Sequence, residues 1–408
     1  MNPITDSDSI RAQFPCLGAP VHGRRLAWLD TASTALKPVC VIDAIRDYYV
    51  DSPANVHRGV HALSETATAR FEASRQRVQH FIHAASPAEI VFTSGTTDSI
   101  NTIAQACGRQ WLGAGDEVLI TELEHHADIV PWQMLRDRVG ITLRVVPITP
   151  AGDITPAALR QAVSPRTKLV AFTAVSNAIG TGLPVSELTR IAHAAGARVL
   201  IDAAQAAACM PLDVQALDCD FLVFSGHKLF GPTGIGVLYG KQALLEALPP
   251  AKGGGDMIRS VSFDKTLYND LPYKFEAGTA NIAGAIGLGR AIGFINAIGF
   301  DRIMRHEEAL VAEAMDTLQS IKGISIIGRP TIRRNIISFA IDGVHPHDAG
   351  TLLDEDGVAV RAGHHCAQPL LSRLGVPATV RASFSIYNNR QDIEQLAESL
   401  NRIIRIFA

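Results

Sequence analysis

The stretch Phe224-Ser-Gly-His-Lys-Leu-Phe-Gly-Pro-Thr-Gly-Ile-Gly236 decides which chemistry the rest of the sequence must fit. It follows an apolar run that ends at Phe224, and it places Lys228 among glycines that do not sustain a helix. A lysine on a glycine-rich turn usually points into solvent. Here, however, Ser225 and His227 can donate hydrogen bonds to an anion, and the glycines let a ligand approach the backbone. Lys228 therefore binds either water or a ligand, depending on the partners that the rest of the chain supplies.

A lysine amine in such a pocket can form a Schiff base with a carbonyl group, the linkage that holds pyridoxal phosphate (PLP). Asp202 ends the apolar run Arg198-Val-Leu-Ile-Asp202, which is a poor place for a solvated carboxylate. It either caps the following helix or holds the pyridine nitrogen of PLP protonated. The interval to Lys228 allows one helix and one strand to return the chain to the same sheet edge. Gln205 is then placed to reach the phenolic oxygen of the ring.

A phosphate-binding segment is also predicted. Ser94-Gly-Thr-Thr97 follows a strand-like run and begins a helix, so its backbone N–H groups and hydroxyls, including those of Thr96 and Thr97, form an anion site. Ser225 and His227 complete this cradle. The Walker and dinucleotide fingerprints are absent, because the glycines of Gly231-Pro-Thr-Gly-Ile-Gly236 have the wrong spacing for both.

Short β-branched runs alternate with helical stretches through the first three quarters of the chain. This alternation predicts an α/β fold with a mostly parallel sheet covered on both faces. In such sheets ligands bind outside the carboxyl ends of the strands, where Thr97, His125, Asn177, Asp202 and Lys228 all fall. The predicted strands are Glu89–Thr93, Glu117–Thr121, Thr142–Val146, Lys168–Thr173, Arg198–Asp202, Phe221–Ser225 and Gly236–Gly240.

The pattern changes after residue 299, where a smaller α+β domain is expected. It includes strands at Ile324–Ile327, Ile336–Ile341 and Val358–Arg361, and a last helix over Gln391–Phe407 with one apolar face. At 408 residues the chain exceeds the size at which one core usually stops growing. We therefore expect an N-terminal arm, 1–25, that packs with the small domain, then a large domain, 26–298, and a small domain, 299–408.

Composition narrows the class of partner. The formal net charge of -3 gives no reason to expect nucleic acid or an anionic membrane as a partner. No stretch approaches the roughly 20 apolar residues of a membrane span, and the first 14 residues do not form a signal peptide. The six cysteines show no paired spacing, which favours reduced thiols and a cytoplasmic location.

Two further clusters could carry chemistry. Glu122-Leu-Glu-His-His126 follows a strand, and His125 is placed to stack on a cofactor ring; a metal-binding or interfacial pair is the alternative. Arg361-Ala-Gly-His-His-Cys-Ala-Gln-Pro369 surrounds Cys366 with basic residues, which favours the thiolate form of a cysteine. Zinc is the rival interpretation, but consecutive ligands at 364, 365 and 366 lack the gaps of structural sites. We expect a nucleophilic cysteine on a small-domain loop and no metal.

With these residues assembled, the chain resembles a cysteine desulfurase of the class V aminotransferase-like family, specifically the Suf-type or group II class. That class also includes selenocysteine lyases and cysteine sulfinate desulfinases. The resemblance covers nearly the whole chain. It rests on Asn55-Val-His-Arg-Gly59, Gly95-Thr-Thr97, Glu124-His-His-Ala127, Ser176-Asn177, Asp202-Ala-Ala-Gln205, Ser225-Gly-His-Lys-Leu229, Phe275-Glu-Ala-Gly-Thr279 and Arg361-Ala-Gly-His-His-Cys-Ala-Gln-Pro369.

The resemblance implies a PLP-dependent fold of type I, with a seven-stranded sheet in the large domain and a homodimer whose active sites lie at the interface. It implies that Lys228 is the Schiff-base lysine and that Cys366 accepts sulfur from L-cysteine. The remaining implied roles are these: Asp202, Gln205 and His125 contact the ring; Thr96, Thr97, Ser225, His227 and Thr279 of the other subunit bind phosphate; Asn177, Arg381, Arg361 and His57 bind substrate.

The family also implies a persulfide on Cys366, release of alanine, and a SufE-like acceptor that serves iron–sulfur cluster assembly. L-selenocysteine and cysteine sulfinate are alternative substrates, and a PLP lyase or epimerase that does not need Cys366 is the runner-up. Three residues depart from the family pattern: Ser94 replaces an arginine, Ala203 a glycine and Ala280 a proline. A non-enzymatic iron or zinc carrier is an alternative from a different functional class. Its ligands would be His57, His61, His125, His126, His364, His365 and Cys366.

Overall fold

The computed structural model describes residues 7–407. The strands are β1 Ala27–Trp28, β2 Ile90–Thr93, β3 Glu117–Thr121, β4 Thr142–Val146, β5 Thr167–Thr173, β6 Arg198–Asp202, β7 Phe221–Ser225, β8 Gly236–Gly240, β9 Ile258–Val261, β10 Thr266–Tyr268, β11 Ile324–Ile327, β12 Ile336–Ile341, β13 Val358–Ala359, β14 Arg361–Gly363 and β15 Thr379–Ser383.

Helices connect and cover these strands. They are α1 Ser7–Arg11, α2 Val39–Asp51, α3 Ala62–Phe81, α4 Thr96–Gln110, α5 Val130–Val139, α6 Pro156–Ala162, α7 Val185–Ala194, α8 Val214–Leu217, α9 Gln242–Ala247, α10 Ile282–Ile298, α11 Phe300–Ser320, α12 Pro346–Glu355, α13 Gln368–Arg373 and α14 Arg390–Phe407.

The main sheet has seven strands in the order β2-β8-β7-β6-β5-β3-β4, which confirms the predicted α/β class and the seven-stranded sheet. Every pairing is parallel except the two made by β8, which runs antiparallel to β2 and β7. The central strands β5, β6 and β7 are buried at every residue except the half-buried Lys168 and Arg198, because helices cover both faces of the sheet. Their apolar runs therefore end together at one edge, where polar side chains follow.

Helix α10 is apolar on nearly all sides, and the structure explains why. It packs against α2 and α3, and most of its residues are buried. At Gly299 the chain turns by 78° into α11. The domain boundary between 298 and 299 stays a prediction. Within the described residues no single helix is long and apolar enough to cross a membrane; α10 and α11 meet that test only when taken together.

A second sheet lies in the C-terminal part, with the antiparallel order β11-β12-β15-β14. Helices α11 and α12 pack on it, and α14 packs against these two helices and against β1 and β13. The buried residues of α14 include Ile393, Leu396, Leu400 and Ile403, the apolar stripe that the sequence predicts. This sheet brings β14 and β15 to the carboxyl edge of the main sheet.

The prediction of one strand over Val358–Arg361 is wrong. Val358 and Ala359 pair in parallel with β1, whereas Arg361 to Gly363 pair with β15 in the other sheet. The chain changes sheets at residue 360, and an apolar run does not reveal such a change because it looks continuous. The β9–β10 hairpin was not predicted either, since its exposed strands lack a buried face.

The N-terminal segment contacts several parts of the molecule. Arg11 donates to Asp392 at 3.3 Å and to the carbonyl oxygen of Leu26 at 2.7 Å. Phe14 is buried against Phe230 of the lysine loop, and against Phe294 and Tyr387. Residues 1–6 of the predicted arm lie outside the described residues.

Candidate functional site

A cavity opens at the carboxyl ends of β5, β6 and β7, where the sequence predicts a ligand site. Loops of the C-terminal sheet close its other side. The structure brings most of the predicted site residues to its wall: Thr96, Thr97, His125, Asn177, Asp202, Gln205, Ser225, His227, Lys228, Arg361, Cys366 and Arg381. Side chains more than two hundred residues apart in sequence thus line one space.

Lys228 ends a short 3-10 turn, Gly226–Lys228, directly after β7. The turn is tight: a Cβ on Gly226 would lie 2.8 Å from Cγ2 of Ile235, and Phe230 adopts a left-handed φ of 58°. Burial lowers the pKa of Lys228 from 10.5 to about 8, although the charge of Asp202 acts in the opposite direction. A substantial share of this amine is therefore neutral near physiological pH, as a nucleophile requires.

Asp202 ends β6 and is almost fully buried at the cavity wall. Its Oδ1 accepts the backbone N–H of Ala204 at 2.8 Å. Burial raises the pKa of Asp202, while the Ala204 bond and the charge of Lys228 counteract it. A buried carboxylate in this position favours a cationic partner in the cavity.

The anion end of the cavity is built where α4 begins. The Thr96 backbone N–H donates to Ser225 Oγ at 2.8 Å, and the two side-chain hydroxyls lie 2.8 Å apart. A Cβ on Gly236 would lie 2.5 Å from Cα of Gly95, so only glycine lets β8 approach this turn so closely. Thr96 and Thr97 line the cavity at the first turn of α4, where backbone N–H groups have no intrahelical acceptors.

His227 and Gln205 flank this arrangement. Burial first, and then the charges of Lys228 and Lys37, lower the pKa of His227 to about 4, so its ring is neutral at physiological pH. The Gln205 amide donates one hydrogen to the carbonyl oxygen of Ala32 at 2.8 Å. Its second amide hydrogen remains available to a ligand oxygen in the cavity.

His125 is neutral and its tautomer is set by a local bond. Burial, followed by the nearby charge of Lys228, lowers its pKa to about 4. Its Nδ1 accepts the backbone N–H of Ala127 at 3.0 Å, which places the ring hydrogen on Nε2. The neutral His125 ring is held by the backbone N–H of Ala127 and lines the cavity.

Arg381 sits on β15 and is 2% exposed. Its guanidinium donates to the carbonyl oxygen of Asn177 at 2.6 Å and to Asp30 at 3.3 Å. Its Nε is buried without a hydrogen-bond partner among the described residues. A buried, unpaired donor is costly, so the site is suited to an anion that accepts from it.

Arg361 and Arg381 are directly opposed in the β14–β15 pairing, which places two cations on neighbouring strands. Asp30 and Ser33 hold them: Arg361 donates to Ser33 Oγ at 2.5 Å, and Asp30 pairs with Arg381. Sequence reasoning missed Asp30 and Ser33, because they lie in a short segment without a recognisable motif. The excess positive charge here favours a carboxylate ligand.

Cys366 is exposed at the cavity mouth, on a loop with left-handed φ angles of 53° at His365 and 55° at Cys366. The large domain holds this loop. The backbone N–H of His126 donates to the carbonyl oxygen of Cys366 at 2.7 Å, and Asn177 Nδ2 donates to that of His365 at 2.5 Å. Asn177 therefore fixes the cysteine loop in addition to lining the cavity. His126, which the sequence indicated only as a member of a metal-binding or interfacial pair, positions this loop through its backbone N–H.

Two predicted site residues, His57 and Thr279, do not line the cavity of a single chain. His57 pairs with Glu72 at 2.8 Å, and Thr279 is exposed. The segment before Thr279 is anchored by Glu276, which receives bonds from the buried Arg75 at 2.7 and 3.0 Å. A contribution of Thr279 to the other subunit's phosphate site stays a prediction.

The donor set of the cavity fits PLP. It offers a buried carboxylate, Asp202, for a pyridinium nitrogen, and a helix start with hydroxyls for a phosphate group. A partly neutral amine, Lys228, and a flat neutral ring, His125, lie between them. No group of three or more His, Cys, Asp or Glu side chains in residues 7–407 is arranged to hold a metal ion.

Comparisons with known proteins agree with this geometry. A curated relative from Dickeya dadantii, named "Cysteine desulfurase", is 50% identical over 400 residues, covering 98% of this chain and 97% of the relative. Another of the same name, from Yersinia pestis, is 48% identical over 400 residues, with 98% of both chains covered.

Solved structures agree as well. The cysteine desulfurase CsdA from Escherichia coli, in an S-sulfonic acid form, superposes with a TM-score of 0.92 at 40% identity, covering 99% of this chain and all of that one. The apo cysteine desulfurase from Thermococcus onnurineus has a TM-score of 0.92 at 38% identity, with 100% and 98% covered. The family model for aminotransferase class-V matches residues 27–396. The chain therefore belongs to the aminotransferase class-V family, and to the cysteine desulfurases within it.

Proposed function

We propose that this enzyme takes sulfur from L-cysteine, releases L-alanine and holds the sulfur as a persulfide on Cys366. The observation that carries the proposal is the placement of three groups on one cavity wall. The Lys228 amine is buried, the Cys366 thiol is exposed, and the Arg381 guanidinium has an unpaired buried Nε. Lys228 would act on the substrate carbon, Cys366 on the substrate sulfur and Arg381 on the substrate carboxylate.

Pyridoxal phosphate is the cofactor of this reaction; when bound, it withdraws electrons from the substrate Cα and so makes the Cα proton acidic. Lys228 would hold its carbonyl carbon, Asp202 its pyridine nitrogen, Gln205 its phenolic oxygen and His125 its ring face. The start of α4 with Thr96, Thr97, Ser225 and His227 would hold its phosphate. Ser94, Ala203 and Ala280 border these elements and bear on loop rigidity more than on chemistry.

Arg381, Lys228 and Cys366 have separate roles in the reaction. Arg381, with Arg361 beside it, binds the substrate carboxylate and fixes the direction of the Cα–H bond. The neutral Lys228 amine accepts the Cα proton and later returns a proton to carbon. The Cys366 thiolate attacks the substrate sulfur, so an S–S bond forms as the C–S bond breaks. The electron pair of the C–S bond stays on Cβ, which takes up a proton and becomes the methyl group of alanine. No external oxidant is needed, because the carbon that keeps this electron pair is reduced as the two sulfur atoms are oxidised.

A direct test compares Cys366→Ala with Cys16→Ala, which changes a second exposed cysteine that does not line the cavity. Alanine and protein-bound persulfide are quantified with L-cysteine as substrate. We expect Cys366→Ala to lose persulfide and to release alanine no faster than Lys228→Ala does, while Cys16→Ala matches the wild type. Full alanine release by Cys366→Ala would overturn the persulfide step and favour a lyase.

The same assay with L-selenocysteine and with cysteine sulfinate identifies the preferred substrate, since all three share the carboxylate and amine. We propose L-cysteine, the substrate class of the named relatives. Faster turnover of either alternative, together with a Cys366-independent rate, would reassign the enzyme to selenocysteine lyases or sulfinate desulfinases.

We also propose a homodimer of the group II type that passes its sulfur to a SufE-like acceptor protein in the cytoplasm, for iron–sulfur cluster assembly. Thr279 supports the dimer, because it is exposed and outside the cavity of its own chain. So do the exposed apolar residues Val39, Ile42 and Val50 on α2. Light scattering tests the dimer, and loss of persulfide on addition of the acceptor tests the transfer. A monomer with full activity would contradict the proposed homodimer.

A further inference from the structure

Two carboxyl groups lie behind Asp202, in the wall of the site but outside the cavity. Glu124 and Asp128 are 1% and 0% exposed, and neither lines the cavity. Glu124 follows β3, and Asp128 ends the short 3-10 turn His126–Asp128. The reaction described above uses neither of them, so their burial needs another reason.

Each carboxyl has one satisfied oxygen. Glu124 Oε1 accepts from the Thr121 hydroxyl at 2.5 Å, and Asp128 Oδ1 accepts from the Trp132 indole N–H at 2.8 Å. The other two oxygens, Glu124 Oε2 and Asp128 Oδ2, are buried without a donor among the described residues. The two side chains lie within hydrogen-bonding reach of each other.

Two ionised carboxylates cannot be buried side by side without a donor between them. A single proton satisfies both orphaned oxygens at once, because one carboxyl then donates to the other. We propose that Glu124 and Asp128 share one proton and form a singly charged pair that stabilises positive charge in the cavity through Asp202. This role rests on the proposed function, since the positive charge it stabilises belongs to the bound cofactor and its lysine linkage.

The surroundings of the pair agree with this role. Burial raises the pKa of both carboxyls, and the charge of Asp202 on β6 raises both further. The interaction is reciprocal, so a negative pair also disfavours loss of a proton from its cationic neighbours. The backbone of Thr173 on β5 lies close to Glu124, and Lys228 after β7 lies close to Asp202 and to the neutral His125.

Amide variants of Glu124 and Asp128 test whether the pair shares one proton. In Asp128→Asn, the amide can still accept from Trp132 and can donate to Glu124, which then stays ionised. In Glu124→Gln, the amide accepts from Thr121 and donates to Asp128. Each single variant therefore keeps one negative charge, whereas the double variant has none.

Infrared difference spectra of the holoenzyme at neutral pH detect the shared proton. We expect the carbonyl band of a protonated carboxylic acid in the wild type, lost in either single variant. Glu307→Gln is the matched control, because Glu307 is a separate buried carboxyl, and the band of the pair must survive that change. Burial also raises the pKa of Glu307, so the band that disappears in Glu307→Gln is assigned to that residue. No further band in the wild type, or a further band that persists in both single variants of the pair, would overturn the shared proton.

A pH titration of the visible absorption of the holoenzyme tests the electrostatic role, which a purely structural pair would not show. We expect the apparent pKa of the lysine-linked cofactor to stay unchanged in both single variants and to fall by roughly 1 unit in the double variant. An unchanged value in the double variant would overturn this role. Alanine release measured on the same samples reports separately on the proposed function, because the infrared result does not depend on turnover.

Discussion

At the scale of single residues, the site depends on buried groups that would be poorly placed if it held no ligand. Lys228 is buried with a lowered pKa, and Arg381 is buried with an unpaired Nε. Both features cost free energy of folding. Both are explained if the site is built to react with a carbonyl group and to bind a carboxylate.

Lys228 makes the stability of the cofactor-free protein depend on pH. Its pKa is about 8 when folded and about 10.5 when unfolded, so the unfolded state binds more protons between these values. The free energy of unfolding should therefore rise with pH across this window, by roughly 3 kcal/mol from this residue. Below pH 8 the full cost of burying the cation is present, so Lys228→Met should stabilise the protein there.

Urea denaturation of the cofactor-free protein at several pH values measures this effect. The difference between wild type and Lys228→Met is needed, because Lys37 also has a pKa lowered to about 8 and adds its own slope. The exposed Lys322→Met serves as the control. Equal slopes for wild type and Lys228→Met would contradict the expectation.

Arg381→Gln tests the carboxylate site. Loss of a charge-assisted hydrogen bond costs about 1.5–3 kcal/mol, so KM for L-cysteine should rise roughly 10- to 100-fold. Steady-state kinetics of alanine release measure it. Arg373→Gln, which removes a cation that pairs with Glu122 at 3.3 Å, is the matched control and should leave KM near the wild-type value. A lower kcat with unchanged KM would show that Arg381 only supports the loop.

At the scale of elements, the site is assembled by segments that secure one another. The cysteine loop is held by His126 and Asn177 of the large domain, and the Thr279 segment is held by Glu276. Arg75 on α3 holds Glu276 in place. It is 1% exposed, and its guanidinium lies 4.6 Å from the centroid of the Phe92 ring. Glu276 also accepts the backbone N–H of Phe92 at 2.6 Å, which ties the segment to β2.

Arg75→Met should destabilise the protein by about 3–5 kcal/mol, because it leaves the mostly buried Glu276 carboxylate with the Phe92 N–H but without a cationic partner. Chemical denaturation measures this value. Arg75→Met combined with Glu276→Gln should recover part of the loss, since no buried charge then remains. If the double variant were less stable than the single one, packing of the arginine would be the cause instead.

At the scale of the whole molecule, the N-terminal segment joins the parts that form the site. Phe14 packs against the lysine loop, α10 and Tyr387, with ring centroids 5.9, 5.8 and 4.8 Å away. Tyr387 in turn bonds Thr31 through its hydroxyl at 2.5 Å. This aromatic cluster therefore ties residues before the main sheet to residues after it.

Phe14→Ala should cost about 3–5 kcal/mol of unfolding free energy, because it removes a fully buried ring and leaves a cavity. Phe263→Ala is the matched control: its ring is fully exposed on the β9–β10 hairpin, so the change should stay within about 0.5 kcal/mol. Thermal and urea unfolding of both variants measure the difference. Similar losses in both would show that Phe14 does not join these parts.

The sequence alone predicted the main sheet almost strand by strand, because buried parallel strands are continuous apolar runs bounded by polar turns. It also singled out Lys228, Asp202 and Cys366, because lysine in a glycine turn, aspartate after an apolar run and cysteine among basic residues are local patterns. The β9–β10 hairpin escaped because its exposed strands lack a buried face, and the split at residue 360 escaped because β13 and β14 pair in different sheets, which an apolar run does not reveal.

What only the tertiary structure decided is which distant groups meet. Asp30 and Ser33 bind the two arginines, His126 holds the cysteine loop, and Glu124 faces Asp128 behind Asp202. None of these contacts has a sequence period or a motif, because each joins side chains from different elements. A sequence records the chemistry of each group, whereas burial and proximity, which determine its charge and its partner, exist only in the folded chain.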